Sequence, residues 1–217
     1  MIKAENIHLS YGDVDVLKGV DLEISKGEII SIVGASGAGK TTLLHILGTL
    51  EQADKGKYSI NGESISKLSS NKLSQFRNLE IGFIFQFHNL LVEFSAFENI
   101  CLPGYISGRN KKEVENEATK LLETLGISSR RDHMPNELSG GEQQRVAIAR
   151  ALINSPSIIL ADEPSGNLDS ENARKLHELF IKLNKELNQT FIIVTHNKEL
   201  ASMTNRTLEM VDGKIIS

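Results

Sequence analysis

Cysteine occurs once in the 217 residues, at Cys101. One thiol can neither close an internal disulfide nor supply a metal-ligand cluster. Positive charge is also scarce, since 24 Lys and Arg stand against 28 Asp and Glu, a formal net charge of −4. Nucleic-acid binding draws on clustered positive charge, so no nucleic-acid partner is expected. No apolar run approaches the roughly 18 residues that span a bilayer. The first residues, Met1-Ile2-Lys3-Ala4-Glu5, lack the apolar stretch of a secretory leader. The expectation is a cytoplasmic chain that is not itself a membrane anchor. What is present, 40% apolar and 24% charged residues, is the composition of a folded domain with a sizeable core.

The first sixty residues read mostly as strands: 2–10, 20–24, 28–33 and 57–60 are rich in β-branched or alternating residues and are separated by Gly12, Lys26-Gly27 and Asn61-Gly62. Residues 29–33 are nearly all apolar, as a central strand buried on both faces requires. Helical spacing of apolar residues predicts helices over 41–50, 111–125, 142–154 and 169–187, with Gly126 suited to a C-terminal cap. Short buried strands are expected at 158–160 and 191–195, and a β-hairpin of 207–211 and 214–216 with a two-residue turn at Asp212-Gly213. Buried strands alternating with helices imply a parallel α/β sheet. The helical stretch near 100–135 interrupts that alternation and is expected to form a small helical subdomain.

Three motifs carry chemistry. Gly34-Ala35-Ser36-Gly37-Ala38-Gly39-Lys40-Thr41 matches the phosphate-loop pattern G-x-x-x-x-G-K-[ST] between a predicted strand and a predicted helix. Its glycines let successive N–H groups turn onto phosphates, Lys40 reaches the β- and γ-phosphates, and Thr41 offers a hydroxyl to Mg²⁺. Residues 158–163, Ile-Ile-Leu-Ala-Asp-Glu, end an apolar strand in adjacent carboxylates, which strand alternation aims to opposite sides. By themselves Asp162 and Glu163 could be an acidic turn before Pro164. Beside a phosphate loop they read instead as an Mg²⁺ ligand, Asp162, and a group that polarises the attacking water, Glu163. Leu138-Ser139-Gly140-Gly141-Glu142-Gln143-Gln144-Arg145 opens a helix and offers a second anion-binding N-terminus; alone, it could equally be an ordinary helix cap.

Taken together, Ser139–Arg145 shortly before the Asp162-Glu163 strand closely resembles the signature of ATP-binding cassette (ABC) ATPases, and the resemblance covers essentially the whole chain. It implies an α/β P-loop NTPase with a parallel core sheet, an N-terminal antiparallel β subdomain and a helical subdomain over about 87–155 within a single 1–217 domain. It further implies that ATP and Mg²⁺ are bound. Phosphates would lie on Gly34, Ala35, Ser36, Gly37, Ala38, Gly39, Lys40, Thr41 and Thr42, and Tyr11 would stack on adenine. Thr41, Gln86 and Asp162 would surround the metal, and Glu163 and His196 would serve catalysis. Residues 165–169 match the family's dimer-contact loop. Two chains are expected to close head to tail on ATP, with Ser139, Gly140 and Gly141 of one completing the site of the other. Residues 86–100 resemble the segment facing membrane permease subunits. In detail they resemble the ATPases of lipoprotein-releasing transporters, with Phe87-His88 and Glu93-Phe94 the nearest matches. Exposed apolar side chains are therefore expected there, and the chain is expected to lie peripherally on the cytoplasmic face of the inner membrane. The alternatives are a regulatory ATPase of cell division, the ATPase of a macrolide-exporter-type complex, and a soluble ABC ATPase. The five other histidines (8, 45, 88, 133 and 177) read as surface or packing residues.

Overall fold

The segments 29–33, 158–162 and 190–194 are apolar at almost every position, so each can bury both of its faces. In the computed structural model, which describes residues 1–216, they lie side by side at the centre of a six-stranded sheet. In chain order the elements are β1 (Ile2–Tyr11), β2 (Val14–Ile24), β3 (Ile29–Val33), α1 (Lys40–Leu47), β4 (Lys55–Ile60), β5 (Glu63–Ser64), α2 (Ser70–Glu80) and β6 (Ile81–Phe85). Then come α3 (Ala96–Ile106), α4 (Lys111–Thr124), α5 (Gly140–Leu152), β7 (Ile158–Asp162), α6 (Ser170–Leu187), β8 (Thr190–Val194), α7 (Lys198–Met203), β9 (Arg206–Val211) and β10 (Lys214–Ile215). The larger sheet has the order β10-β9-β3-β8-β7-β6, parallel except at β10. A four-stranded antiparallel sheet, β2-β1-β4-β5, forms a separate layer.

Strand alternation sorts the core into two layers. Ile29, Ile159, Ala161, Phe191 and Ile193 face the helical side, where Phe180 of α6 and Val146 of α5 pack. Ile30, Ile32, Leu160, Ile192 and Val194 face α1 and the antiparallel sheet, meeting Leu43, Leu47, Ile7 and Leu17. The helical layer continues without a break into α3 and α4 through Ile100, Cys101, Val114 and Leu121. Gly82 lets α5 approach β6 closely: a Cβ there would sit 2.5 Å from the Ala151 carbonyl oxygen.

The predicted helices and buried strands form within a few residues of their expected ends. Strand β2 starts earlier, at Val14, and α1 stops at Leu47, before Gly48. Gly126 follows α4 with φ 67°, and Asp212-Gly213 turns the last hairpin with φ 45° and 77°. Helix α2 has no counterpart in the sequence reading because it buries no residue fully; only Leu73 and Phe76 rest partly on the core. Within the helical subdomain expected over about 87–155, the first helix starts at Ala96, where Ser95 and Glu98 form a reciprocal cap.

Candidate nucleotide site

Parallel register brings the site together. Ile32 lies opposite Val194, Val194 opposite Asp162, and Asp162 opposite Phe85, so four strands end level along one edge of the sheet. The residues just past those ends are Gly34, Gln86, Glu163 and His196. Ligands of open α/β sheets bind at this carboxyl edge.

Between β3 and α1 the chain must reverse direction around whatever it binds. Gly34, Gly37 and Gly39 adopt φ 153°, 80° and 100°, conformations costly to residues with a Cβ, and Gly39 caps α1. Lys40 Nζ donates to the carbonyls of Gly34 at 2.9 Å and Ala35 at 2.8 Å, so its ammonium lies inside the curve of the loop. The loop, Lys40, Thr41, Thr42, Glu163 and His196 line a cavity of about 600 Å³.

The two carboxylates diverge. Asp162 Oδ1 accepts from Thr41 Oγ1 at 3.3 Å, and burial raises the Asp162 carboxyl above the ordinary aspartate range. Glu163 turns away in a left-handed conformation, φ 44°, unusual for a side chain of this kind. Its Oε2 lies 2.9 Å from His196 Nδ1 and accepts from the His196 amide at 3.3 Å. The backbone strain is thus spent on aiming one carboxylate at the exposed histidine beside the cavity.

Gln86 meets Asn167 in a reciprocal pair: Gln86 Nε2 donates to Asn167 Oδ1 at 3.0 Å, and Asn167 Nδ2 donates to the Gln86 carbonyl at 3.1 Å. Gly166 is packed so closely that a Cβ would come 2.9 Å from Gln86 Nε2. Beyond Gln86, His88 and Asn89 both have positive φ, and Arg150 of α5 donates to both of their carbonyls at 2.7 Å. Asn99 holds the rest of the segment, accepting from the Leu91 amide and donating to the carbonyls of Leu91, Phe94 and Ser95.

Ser139 caps α5 and is exposed. Its amide and hydroxyl both donate to Glu142 Oε2 at 2.8 Å, and Arg130 Nε bonds the other oxygen at 2.6 Å. Those donors hold the Glu142 carboxyl down to about 2. Ser139, Gly140 and Gly141 do not line the phosphate-loop cavity of their own chain. Tyr11 ends β1 with its hydroxyl 2.5 Å from Glu51.

Along the segment after Gln86, Phe87 is 75% exposed, Val92 66% and Phe94 38%. Phe97 corrects the expectation of exposed apolar side chains. It lies on the inner face of α3, 9% exposed, with the Arg131 guanidinium stacked 3.4 Å from its ring centre. The cap at Ser95 starts a helix whose rotation turns Phe97 inward. His88 and His177 are buried, as packing residues are; His177 Nε2 lies 3.2 Å from Ser165 Oγ. Sequence reasoning missed Asn167 as a partner of Gln86, the Arg150 clasp and the Glu51 contact, because each joins residues 40 or more apart.

The model of the ABC transporter family matches residues 17–166. A protein of Cytophaga hutchinsonii named lipoprotein-releasing system ATP-binding protein LolD is 59% identical over all of this chain and 99% of its own length. One of the same name from Bacteroides thetaiotaomicron is 57% identical over 99% of both. Among solved structures, a bacterial ABC transporter cassette determined as a dimer is 40% identical, with a TM-score of 0.91 over all of this chain and 97% of that one. An ATP-binding cassette solved as a dimer in a post-hydrolysis state, bound to ADP and Pi, gives a TM-score of 0.90 at 38% identity over the same shares. A family model over most of the chain and full-length relatives at 57–59% identity show that the chain belongs to the ABC transporter family.

Proposed function

We propose that the chain is the ATP-hydrolysing subunit of a lipoprotein-releasing transporter, acting on membrane permease subunits from the cytoplasmic face. The observation that carries the ATPase reading is the convergence of Lys40, Thr41, Glu163 and His196 on one cavity at the carboxyl edge of the sheet, with Asp162 hydrogen-bonded to Thr41 at its rim. Full-length identity to relatives named for lipoprotein release favours that system over a cell-division or macrolide-export complex.

The residues divide the chemistry between them. The loop amides and Lys40 bind the phosphates and position the γ-phosphoryl group for in-line attack. The donor set suits Mg²⁺, a hard cation that keeps waters and takes few protein ligands. Thr41 Oγ1 and Asp162 Oδ1 are adjacent, and Gln86, its amide nitrogen engaged by Asn167, has its side-chain oxygen left as a third donor. These residues would hold Mg²⁺, which would supply neutralisation of the nucleotide's phosphate charge. Glu163 orients the attacking water and accepts its proton, and His196, held by Glu163, reaches the γ-phosphate.

Ser139 and Gly140 sit exposed and Gly141 half-buried at a helix N-terminus, outside the cavity of their own chain, as a site shared with a second copy requires. The permease reading rests on the exposed Phe87, Val92 and Phe94. It is also supported by a cavity of about 390 Å³ lined by Arg77, Phe83, Phe85, Asn89, Pro103 and Arg150, where α2, β6 and the helical layer meet. Among the described residues no helix is long and apolar enough to cross a membrane.

The test is reconstitution of the chain with its membrane partners in lipoprotein-loaded vesicles. ATP is expected to release lipoprotein to a soluble acceptor, and Lys40→Ala to abolish both nucleotide binding and release. A complex that hydrolyses ATP without releasing lipoprotein would overturn the assignment of cargo. Wild-type nucleotide binding by Lys40→Ala would overturn the phosphate-loop reading.

A further inference from the structure

Tyr11 stands at the end of β1 with its ring half exposed. Its hydroxyl lies 2.5 Å from both carboxylate oxygens of Glu51 and is within reach of the Thr42 side chain, which lines the phosphate-loop cavity. Glu51 is itself fixed to α1. The amides of Leu50 and Glu51 both donate to the His45 carbonyl, at 2.9 and 3.3 Å. Two further bonds lash the end of β1 to the same segment: Ser10 N to Asp54 Oδ2 at 2.8 Å and Asp54 N to the His8 carbonyl at 2.9 Å. One helix therefore shapes the phosphate loop at its N-terminus and, just past its C-terminus, grips the phenol of Tyr11.

We propose that Glu51 is a positioning residue for the nucleotide base, holding the Tyr11 ring upright as a platform beside the phosphate loop. The inference rests on the reading that Tyr11 stacks on adenine. A tyrosine this exposed would otherwise sample several rotamers, and stacking a base on it would cost the entropy of choosing one. A charge-assisted bond from the hydroxyl to a carboxylate fixes the ring beforehand. It also draws the phenol proton toward Glu51 and so fixes the orientation of the hydroxyl away from the base. The Glu51 bond correspondingly raises the Tyr11 hydroxyl above the ordinary tyrosine range, keeping the hydroxyl a donor throughout the physiological range.

The experiment measures, on the full chain, dissociation constants for ATP and for inorganic tripolyphosphate, together with KM and kcat. Glu51→Ala is expected to raise the Kd and KM for ATP about three- to tenfold, with kcat unchanged. Tripolyphosphate, having no base, is expected to bind as to wild type. Glu51→Gln keeps an acceptor and nearly the same volume and is expected to restore most of the affinity. In a Tyr11→Phe background, Glu51→Ala is expected to add nothing, since the hydroxyl that Glu51 holds is already gone. Equal weakening of ATP and tripolyphosphate would make Glu51 a support of α1 and overturn the proposal. So would an ATP affinity unchanged in Glu51→Ala when Tyr11→Ala weakens it, an outcome that leaves the stacking of Tyr11 standing. If Tyr11→Ala itself binds ATP normally, the stacking reading fails first and this inference with it. Should Glu51→Ala fold poorly, Tyr11→Phe alone against tripolyphosphate and ATP decides the matter, because it deletes only the hydroxyl.

Discussion

Replacing Glu163 by Gln changes one atom's ability to accept a proton and almost nothing else. The side chain keeps its length, and the amide oxygen can still accept from the His196 amide that now bonds Oε2. The backbone at φ 44° is equally unfavourable for either residue, so fold stability is expected to stay near wild type. Lys40, Thr41 and Asp162 are untouched, so nucleotide binding is expected to persist. What is lost is the general base, typically worth about 10²–10⁴-fold in rate, or about 2.7–5.4 kcal/mol of transition-state stabilisation. Removing a carboxylate near the γ-phosphate also relieves like-charge repulsion, which favours the closed, ATP-bound state. Turnover by phosphate release, and size-exclusion chromatography with ATP in the absence of Mg²⁺, form the assay. The expected result is kcat reduced by at least about a hundredfold and an ATP-dependent dimer. That dimer is expected to disappear in the double variant Glu163→Gln/Ser139→Arg, whose bulky cation occupies the exposed start of α5. Hydrolysis at the wild-type rate would refute the role of Glu163. A variant that stays monomeric at saturating ATP would refute the shared site.

Phe87→Ala with Phe94→Ala is expected to leave ATP turnover of the isolated chain unchanged and to weaken co-purification with the membrane subunits, because both rings are exposed. Phe97→Ala is expected to act differently. It empties a buried site and strips Arg131 of its stacking partner, costing about 3 kcal/mol in urea unfolding; an unfolding midpoint equal to wild type would place Phe97 at the surface instead. The Glu142 carboxyl, depressed from 4.5 to about 2, contributes stability that is fully present above pH 4.5 and is lost as pH falls toward 2. Since Arg130 is partly exposed, that contribution is about 1–2 kcal/mol. Glu142→Gln is therefore expected to unfold more easily than wild type at pH 7 and equally easily near pH 2, and a gap independent of pH would remove Glu142 from the acid transition.

Local pattern was enough for the phosphate loop, the buried strands and the helix caps, because each rests on forces acting within a few residues. Glycines at 34, 37 and 39 permit the turn that only glycine makes cheaply. Unbroken apolar runs at 29–33 and 190–194 can lie only where both faces are covered. Ser139 three residues before Glu142 spells a capping box before any tertiary contact forms. Even the divergence of Asp162 and Glu163 follows from strand alternation, although the left-handed twist that completes it does not. The apolar character of 87–100 was equally visible, yet it did not separate exposed Phe94 from buried Phe97. That choice belongs to the rotation of α3 against the helical core, set by packing and not by composition. The same holds for Gln86 with Asn167, Arg150 with His88 and Asn89, and Tyr11 with Glu51, partners 81, 61–62 and 40 positions apart. Polar side chains so distant leave no periodic trace, because their pairing exists only once the strands align in register and the helices settle on the sheet. The sequence by itself thus determined which residues can bind a phosphate and which strands must be buried. The tertiary structure decided which of the remaining polar groups meet, since hydrogen bonds reach about 3 Å and only the folded chain brings those atoms that close.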